Sequence, residues 1–144
     1  MECGDCTLCC KLIDIPWMKS PPLEYCSKCV PGKGCGIWNT VPKDCKEYAC
    51  AYRQMENVSI KLRPDNCHVI FEKLTDDVFL GLLEPGYAMN KDVLGQINAF
   101  NENGFSVFIS AFGNNVPFII SANGKASKDV YKEVVDLVAK KKWQ

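Results

Sequence analysis

The sequence predicts an α+β protein in two parts. An irregular, cysteine-rich lobe spans residues 1–60, and a two-layer ββαββα sandwich with a four-stranded, mostly antiparallel sheet spans 61–144. Three observations predict this. Nine of the ten cysteines lie between Cys3 and Cys50. Prolines 16, 21, 22, 31 and 42 and glycines 4, 32, 34 and 36 interrupt any regular element there. Beyond residue 60, alternating and helical apolar patterns follow one another.

The first part has apolar residues (Leu12, Ile13, Ile15, Trp17, Ile37, Trp38) but no sustained period. Such a segment does not offset its ordering entropy by burial alone. Asp44 is expected to cap a short helix through Glu47 to about Met55, which puts Cys50 on a rigid element. Arg63-Pro64-Asp65-Asn66 reads as a turn.

In the second part, residues 67–74 and 78–84 read as strands joined by Asp76-Asp77, and Pro85-Gly86 ends the hairpin. Asn90 caps a helix with Val93, Leu94, Ile97 and Phe100 at helical spacing, closed by Gly104. Residues 105–112 and 116–121 read as a second strand pair, turning at Gly113-Asn114-Asn115. Ser127 caps a last helix with Val130, Val134, Leu137 and Val138 on one face and Lys140, Lys141 and Lys142 at its end. Both helices are expected on one face of the sheet.

The chain of 144 residues has a formal net charge of zero, so no nucleic-acid footprint is expected. The opening residues form no secretory signal, and no apolar run has the length of a membrane span. The expected compartment is the cytoplasm, where thiols stay reduced. That argues against a disulfide framework, as do the vicinal Cys9 and Cys10 and the CxxC pairs.

A thiolate metal site is the reading that remains, because bound metal supplies the folding energy the segment lacks. Its candidate ligands are Cys3, Cys6, Cys9, Cys10, Cys26, Cys29, Cys35, Cys45 and Cys50. With no histidine among them, the set is all sulfur and suits soft metals. In a zinc reading, Cys6-x2-Cys9 and Cys26-x2-Cys29 stand 16 residues apart, within ribbon spacing, and Cys3-x2-Cys6 also fits. Cys35, Cys45 and Cys50, with Cys3 or Cys10, then make a second site. In an iron–sulfur reading, Cys3-x2-Cys6-x2-Cys9 copies the first three ligands of a bacterial ferredoxin run. Ile13 and Asp14 stand where the fourth cysteine and its proline would be, so Cys45 or Cys50 closes the cluster from a distance.

CGDCTLCC followed by GCGIWNTVPKDCKEYAC resembles the CxxCxxCC cysteine-cluster family, described as zinc- or iron-chelating. The matching positions are Cys3, Cys6, Cys9 and Cys10, then Gly34, Cys35, Trp38, Pro42, Cys45, Tyr48 and Cys50, with Cys26 and Cys29 between. The resemblance covers about residues 1–55 and implies iron–sulfur or zinc binding. Val41 stands where the family usually has arginine. Some larger relatives are methylases of flagellin lysines, an activity not carried over to this shorter chain.

Cys67 is expected to be a free buried thiol, and His68, the sole histidine, a surface strand residue. Trp17 and Trp38 are read either as a shield around the metal or as local packing. Phe100, Phe105, Phe108, Phe112 and Phe118 are read as core. PGKGCG at 31–36 lacks the strand and Lys-Ser/Thr ending of a phosphate loop.

The expected function is an iron–sulfur protein that transfers electrons or holds a cluster, with a structural zinc module for protein interaction as the alternative. A protein partner fits either reading; nucleic acid and membrane fit neither. No catalytic acid or base stands out, so an enzyme of redox or methyl-transfer type is the least supported reading.

Overall fold

The computed structural model describes residues 5–13, 23–111 and 118–120. It is a mixed α+β protein with a two-stranded and a four-stranded sheet. In chain order the elements are α1 (Cys9–Leu12), β1 (Cys29–Val30), β2 (Gly34–Cys35), α2 (Lys43–Glu47), α3 (Ala51–Gln54), α4 (Pro64–Cys67), β3 (Val69–Thr75), β4 (Val78–Leu83), α5 (Lys91–Glu102), β5 (Ser106–Ala111) and β6 (Phe118–Ile120). The expected turn at 113–115 and the helix begun by Ser127 lie outside the described residues, as do Cys3, Trp17 and Phe112.

The large sheet runs β3-β4-β5-β6. β3–β4 and β5–β6 are antiparallel, whereas the central pair β4–β5 is parallel. A parallel neighbour needs a crossover, and α5 supplies it. Asn90 Oδ1 accepts from the Val93 N–H at 3.0 Å and starts α5 as its N-cap. The helix ends where Gly104 takes a φ of 88°, a left-handed position that glycine occupies without steric cost.

Strands β3, β4 and β5 carry apolar residues on both faces, and that decides the layering. Val69, Phe71, Phe79, Val107 and Ile109 pack with Val93, Ile97 and Phe100 of α5. The alternate positions Ile70, Val78, Leu80, Leu82 and Phe108 pack with Leu8, Leu12, Cys50 and Tyr52. The second apolar cluster therefore joins the cysteine-rich segment to the sheet. α5 covers one face of the sheet and, among the described residues, the cysteine-rich segment covers the other. Successive side chains of a strand point to opposite faces, so a strand such as VFLGLL needs cover on both.

Leu8 and Leu12 are one helical turn apart and both are buried, 4% and 1% exposed. The cysteine-rich segment thus contributes to the core through this pair, which the absence of a sustained period concealed.

Several local expectations change. Arg63–Asn66 is no open turn: Pro64 begins the one-turn helix α4, with proline at its favoured first position. The strand expected from residue 67 begins at Val69, because Cys67 ends α4 and His68 is its left-handed C-cap at φ 61°. The helix expected from Asp44 to Met55 is two short helices broken at Tyr48 and Ala49, with Asp44 in the first turn rather than at the cap. Cys50 is the N-cap of α3.

Candidate metal centre

The cysteines are positioned by a set of backbone hooks. α1 carries Cys9 and Cys10. The Leu23 N–H donates to the Lys11 carbonyl at 2.7 Å, and the Cys26 N–H to the Cys10 carbonyl at 2.9 Å. Residues 23–26 are therefore laid along α1. Cys26 and Cys29 form a CxxC turn closed by the Cys29 N–H on the Cys26 carbonyl at 2.9 Å.

β1 and β2 follow as a small hairpin with Cys29 facing Cys35. Its turn requires Gly32, whose φ is 73° and whose N–H donates to the buried Thr7 hydroxyl at 3.1 Å. Thr7 is thereby the post to which the hairpin is tied.

Nine cysteines fall among the described residues, and none of them forms a disulfide. The Cys10 thiol has Cys9 and Cys29 as neighbours. Cys29 also neighbours Thr7 and Cys26. Cys9 and Cys50 both contribute to the electrostatic surroundings of Tyr48. Cys6, Cys9 and Cys50 all pack on the apolar cluster that includes Leu8, Leu12 and Tyr52. Cys45 lies on α2, one turn before Tyr48. Among the described residues, no three cysteine, histidine, aspartate or glutamate side chains close around one point.

Cys10 and Cys29 are held as neutral thiols. The hydrogen bond to Cys9, then burial, push Cys10 far above the ordinary thiol range, against the opposing bond from Cys29. Burial, then the neighbouring Cys10, push Cys29 up to about 12. A metal taking these sulfurs therefore displaces their protons. The donor set fits a thiophilic metal, since every candidate ligand is sulfur and soft metals prefer it to carboxylate oxygen.

Two buried acids frame this region, and neither was singled out as a site residue in the sequence. Glu72 accepts from the Tyr48 hydroxyl at 2.5 Å. Burial first, then Glu72, raise the Tyr48 phenol far above its usual range, so it stays protonated and donates. Glu84, 6% exposed, is gripped by Lys11 Nζ at 2.7 Å on one oxygen and His68 Nδ1 at 2.7 Å on the other. Burial alone would raise its carboxyl, but the Lys11 and His68 bonds outweigh that and hold it low. The signal for both was an acid inside an apolar strand, VIFEKL and VFLGLLE.

His68 is not a surface strand residue. Its ring stacks on Tyr87 with centroids 3.5 Å apart, and Lys11 lies over the Tyr25 ring at 5.6 Å. Cys67 is fully buried, as expected, and its thiol is pushed up to about 11 by burial. Trp38 is neither shield nor local core, since it is 50% exposed on a single 3-10 turn. Near the chain start, Arg63 bonds Asp5 at 2.8 Å and Asp65 at 2.6 Å, tying residue 5 to α4.

Compared with protein-family models, curated proteins and solved structures, the chain matches none. No helix among the described residues is long and apolar enough to cross a membrane.

Proposed function

We propose that this chain is a metal-binding protein that holds an iron–sulfur cluster on cysteine thiolates and serves in electron transfer or cluster storage. One observation carries the reading. Cys6 and Cys9 pack against the same apolar cluster that contains Cys50, Leu8, Leu12 and Tyr52. With Cys45, these cysteines are the residues that would hold the cluster. A bound cluster supplies one-electron chemistry, and the apolar wall limits the water that reaches the sulfurs.

The residue pattern shared with the CxxCxxCC family belongs to this proposal, as does a reducing compartment such as the cytoplasm. So does the complete ββαββα arrangement, in which the amphipathic segment beginning at Ser127 would be the second helix.

The test is anaerobic purification with iron supplied, followed by visible absorption and assay of iron and acid-labile sulfide. A brown protein with sulfide-to-iron absorption is expected. A colourless one without sulfide overturns the cluster. The alternative, a structural zinc module that presents a surface to a protein partner, draws on the Cys26–Cys29 turn and its hairpin, an arrangement suited to a single tetrathiolate ion.

A further inference from the structure

We infer that a groove between α5 and the segment following α3 binds a small aryl-alkyl amine in its ammonium form. The site shares no residue with the candidate thiols. Its floor belongs to the apolar cluster under α5, on the sheet face opposite the one the cysteine-rich segment covers.

Two stretches of chain build the walls. On one side stand Ala99 and, one turn on, Asn103, the C-cap of α5. Ala99 is short, and the space above it stays open. On the other side the chain leaves α3 and enters the 3-10 turn Ile60–Leu62, so that Met55 and Leu62 face α5.

Phe79, Phe100 and Phe105 close the bottom. Phe79 stacks on Phe100 with centroids 4.1 Å apart, and Phe105 meets Phe79 edge-on at 5.0 Å. Rings arranged in this way present edges and offset faces, which suit a further aromatic ring. The groove holds about 490 Å³. Sites for small organic molecules span roughly 300–1,000 Å³.

The charge at the rim has one sign. Glu56 is the only ionisable residue lining the groove, and it is exposed. α5 ends at the same rim, and a helix C-terminus carries about half a unit of negative charge. Basic residues commonly offset that charge, but the last turn of α5 has none and carries Glu102 instead. Lys73 stands 5.8 Å from the Phe105 ring, but it does not line the groove and pairs with Asp76 at 3.8 Å.

An apolar floor under a negative rim selects a molecule with a flat apolar body and one cationic end. The ring lies on the phenylalanines, and the ammonium faces Glu56 and the carbonyl end of α5. Carboxylate ligands are disfavoured on the same ground.

The test is titration of the full chain with phenethylamine and, separately, with phenethyl alcohol, its neutral counterpart, followed by methyl NMR at low salt. The amine should shift the Met55 and Ala99 methyl signals saturably. It should bind about two- to fivefold tighter than the alcohol, the range that one exposed ion pair supplies. Added salt should narrow the difference. Glu56→Gln should reduce the amine to the affinity of the alcohol. Ala99→Leu keeps a good helix former on α5 while filling the groove, and it should abolish binding of both. An unchanged circular dichroism spectrum shows that its fold is intact; if it is not, Glu56→Gln at its exposed position still decides.

Failure of both probes to bind overturns the inference, as do shifts that bypass Met55 and Ala99. Equal affinity for the two probes overturns it, and so does amine binding that Glu56→Gln leaves unchanged. Folded Ala99→Leu that still binds the amine overturns it as well. Each of these outcomes leaves the reading of the thiols where it stands, since no thiol takes part.

Discussion

Lys11 Nζ lies 2.7 Å from Glu84 Oε1, across 73 residues of sequence. One partner follows the vicinal cysteines on α1, and the other follows β4 at the edge of the core. Glu84 is also bound by His68. The pair is therefore a latch between the cysteine-rich segment and the sheet, and it positions the candidate metal centre without touching a sulfur.

Replacing Lys11 with Met should weaken this latch by about 1–3 kcal/mol, since it takes a hydrogen-bonded partner from a buried carboxylate. The pH dependence has a definite sign. Glu84 is held below its ordinary carboxyl value, so its contribution is present above that value and is lost as pH falls through the lower one. Urea unfolding should show the parent protein losing stability below about pH 4. Lys11→Met should flatten that acid limb. An unchanged limb would remove the latch.

Cys67 predicts the opposite limb. Its thiol is pushed up to about 11 by burial, against an ordinary value of about 8.5. The unfolded chain loses this proton first, so the contribution is complete below about pH 8.5 and disappears as pH rises toward 11. Unfolding midpoints measured from pH 8 upward should fall, and Cys67→Ala should reduce the slope by about one proton. Cys29 titrates in the same direction and accounts for part of what remains.

Gly81 is the tight point of the sheet. It pairs with Phe71 on one side and Ile109 on the other. A Cβ there would stand 2.5 Å from Ile109 Cδ1 and 3.1 Å from Phe71 Cε1. Gly81→Val should cost about 1–3 kcal/mol through overpacking, read as a lowered melting temperature. Gly95, with open space around it, is the control, and Gly95→Ala should be neutral or stabilising by about 1 kcal/mol.

Tyr48→Phe should remove the hydrogen bond to Glu72 and leave a buried carboxylate short of a donor, at a cost of about 1–3 kcal/mol. Metal content should not change, because no sulfur is lost. A fall in metal content equal to that of Cys50→Ser would make Tyr48 part of the ligand set.

The elements with strong local signals were legible. Asn90, Gly104 and the spacing of Val93, Ile97 and Phe100 located α5, and the pair Asp76-Asp77 located the β3–β4 turn. His68 was read as a strand residue because its neighbours alternate. The structure gives it a left-handed cap instead, since α4 ends there and its ring meets Glu84 and Tyr87. Leu12 showed no sustained period and Leu8 was not singled out, because their partners lie far along the chain, on β3 to β5 and at Cys50 and Tyr52. The thiol set could be named from its spacing, but not its grouping, because grouping depends on how residues 23–36 dock on α1.

What the sequence alone determined is the stock of parts: sulfur donors in the first fifty residues, the β3–β4 hairpin and the helix that follows it. Backbone propensity and side-chain period act over a few residues, and such features are written locally. Tertiary structure decided the rest. It set which face of the sheet the cysteine-rich segment covers, which thiols stand side by side, and that Glu84 is shared by Lys11 and His68. Those outcomes follow from apolar surface that needs cover on both sides and from a buried charge that needs partners, and both are satisfied by residues far away in the chain.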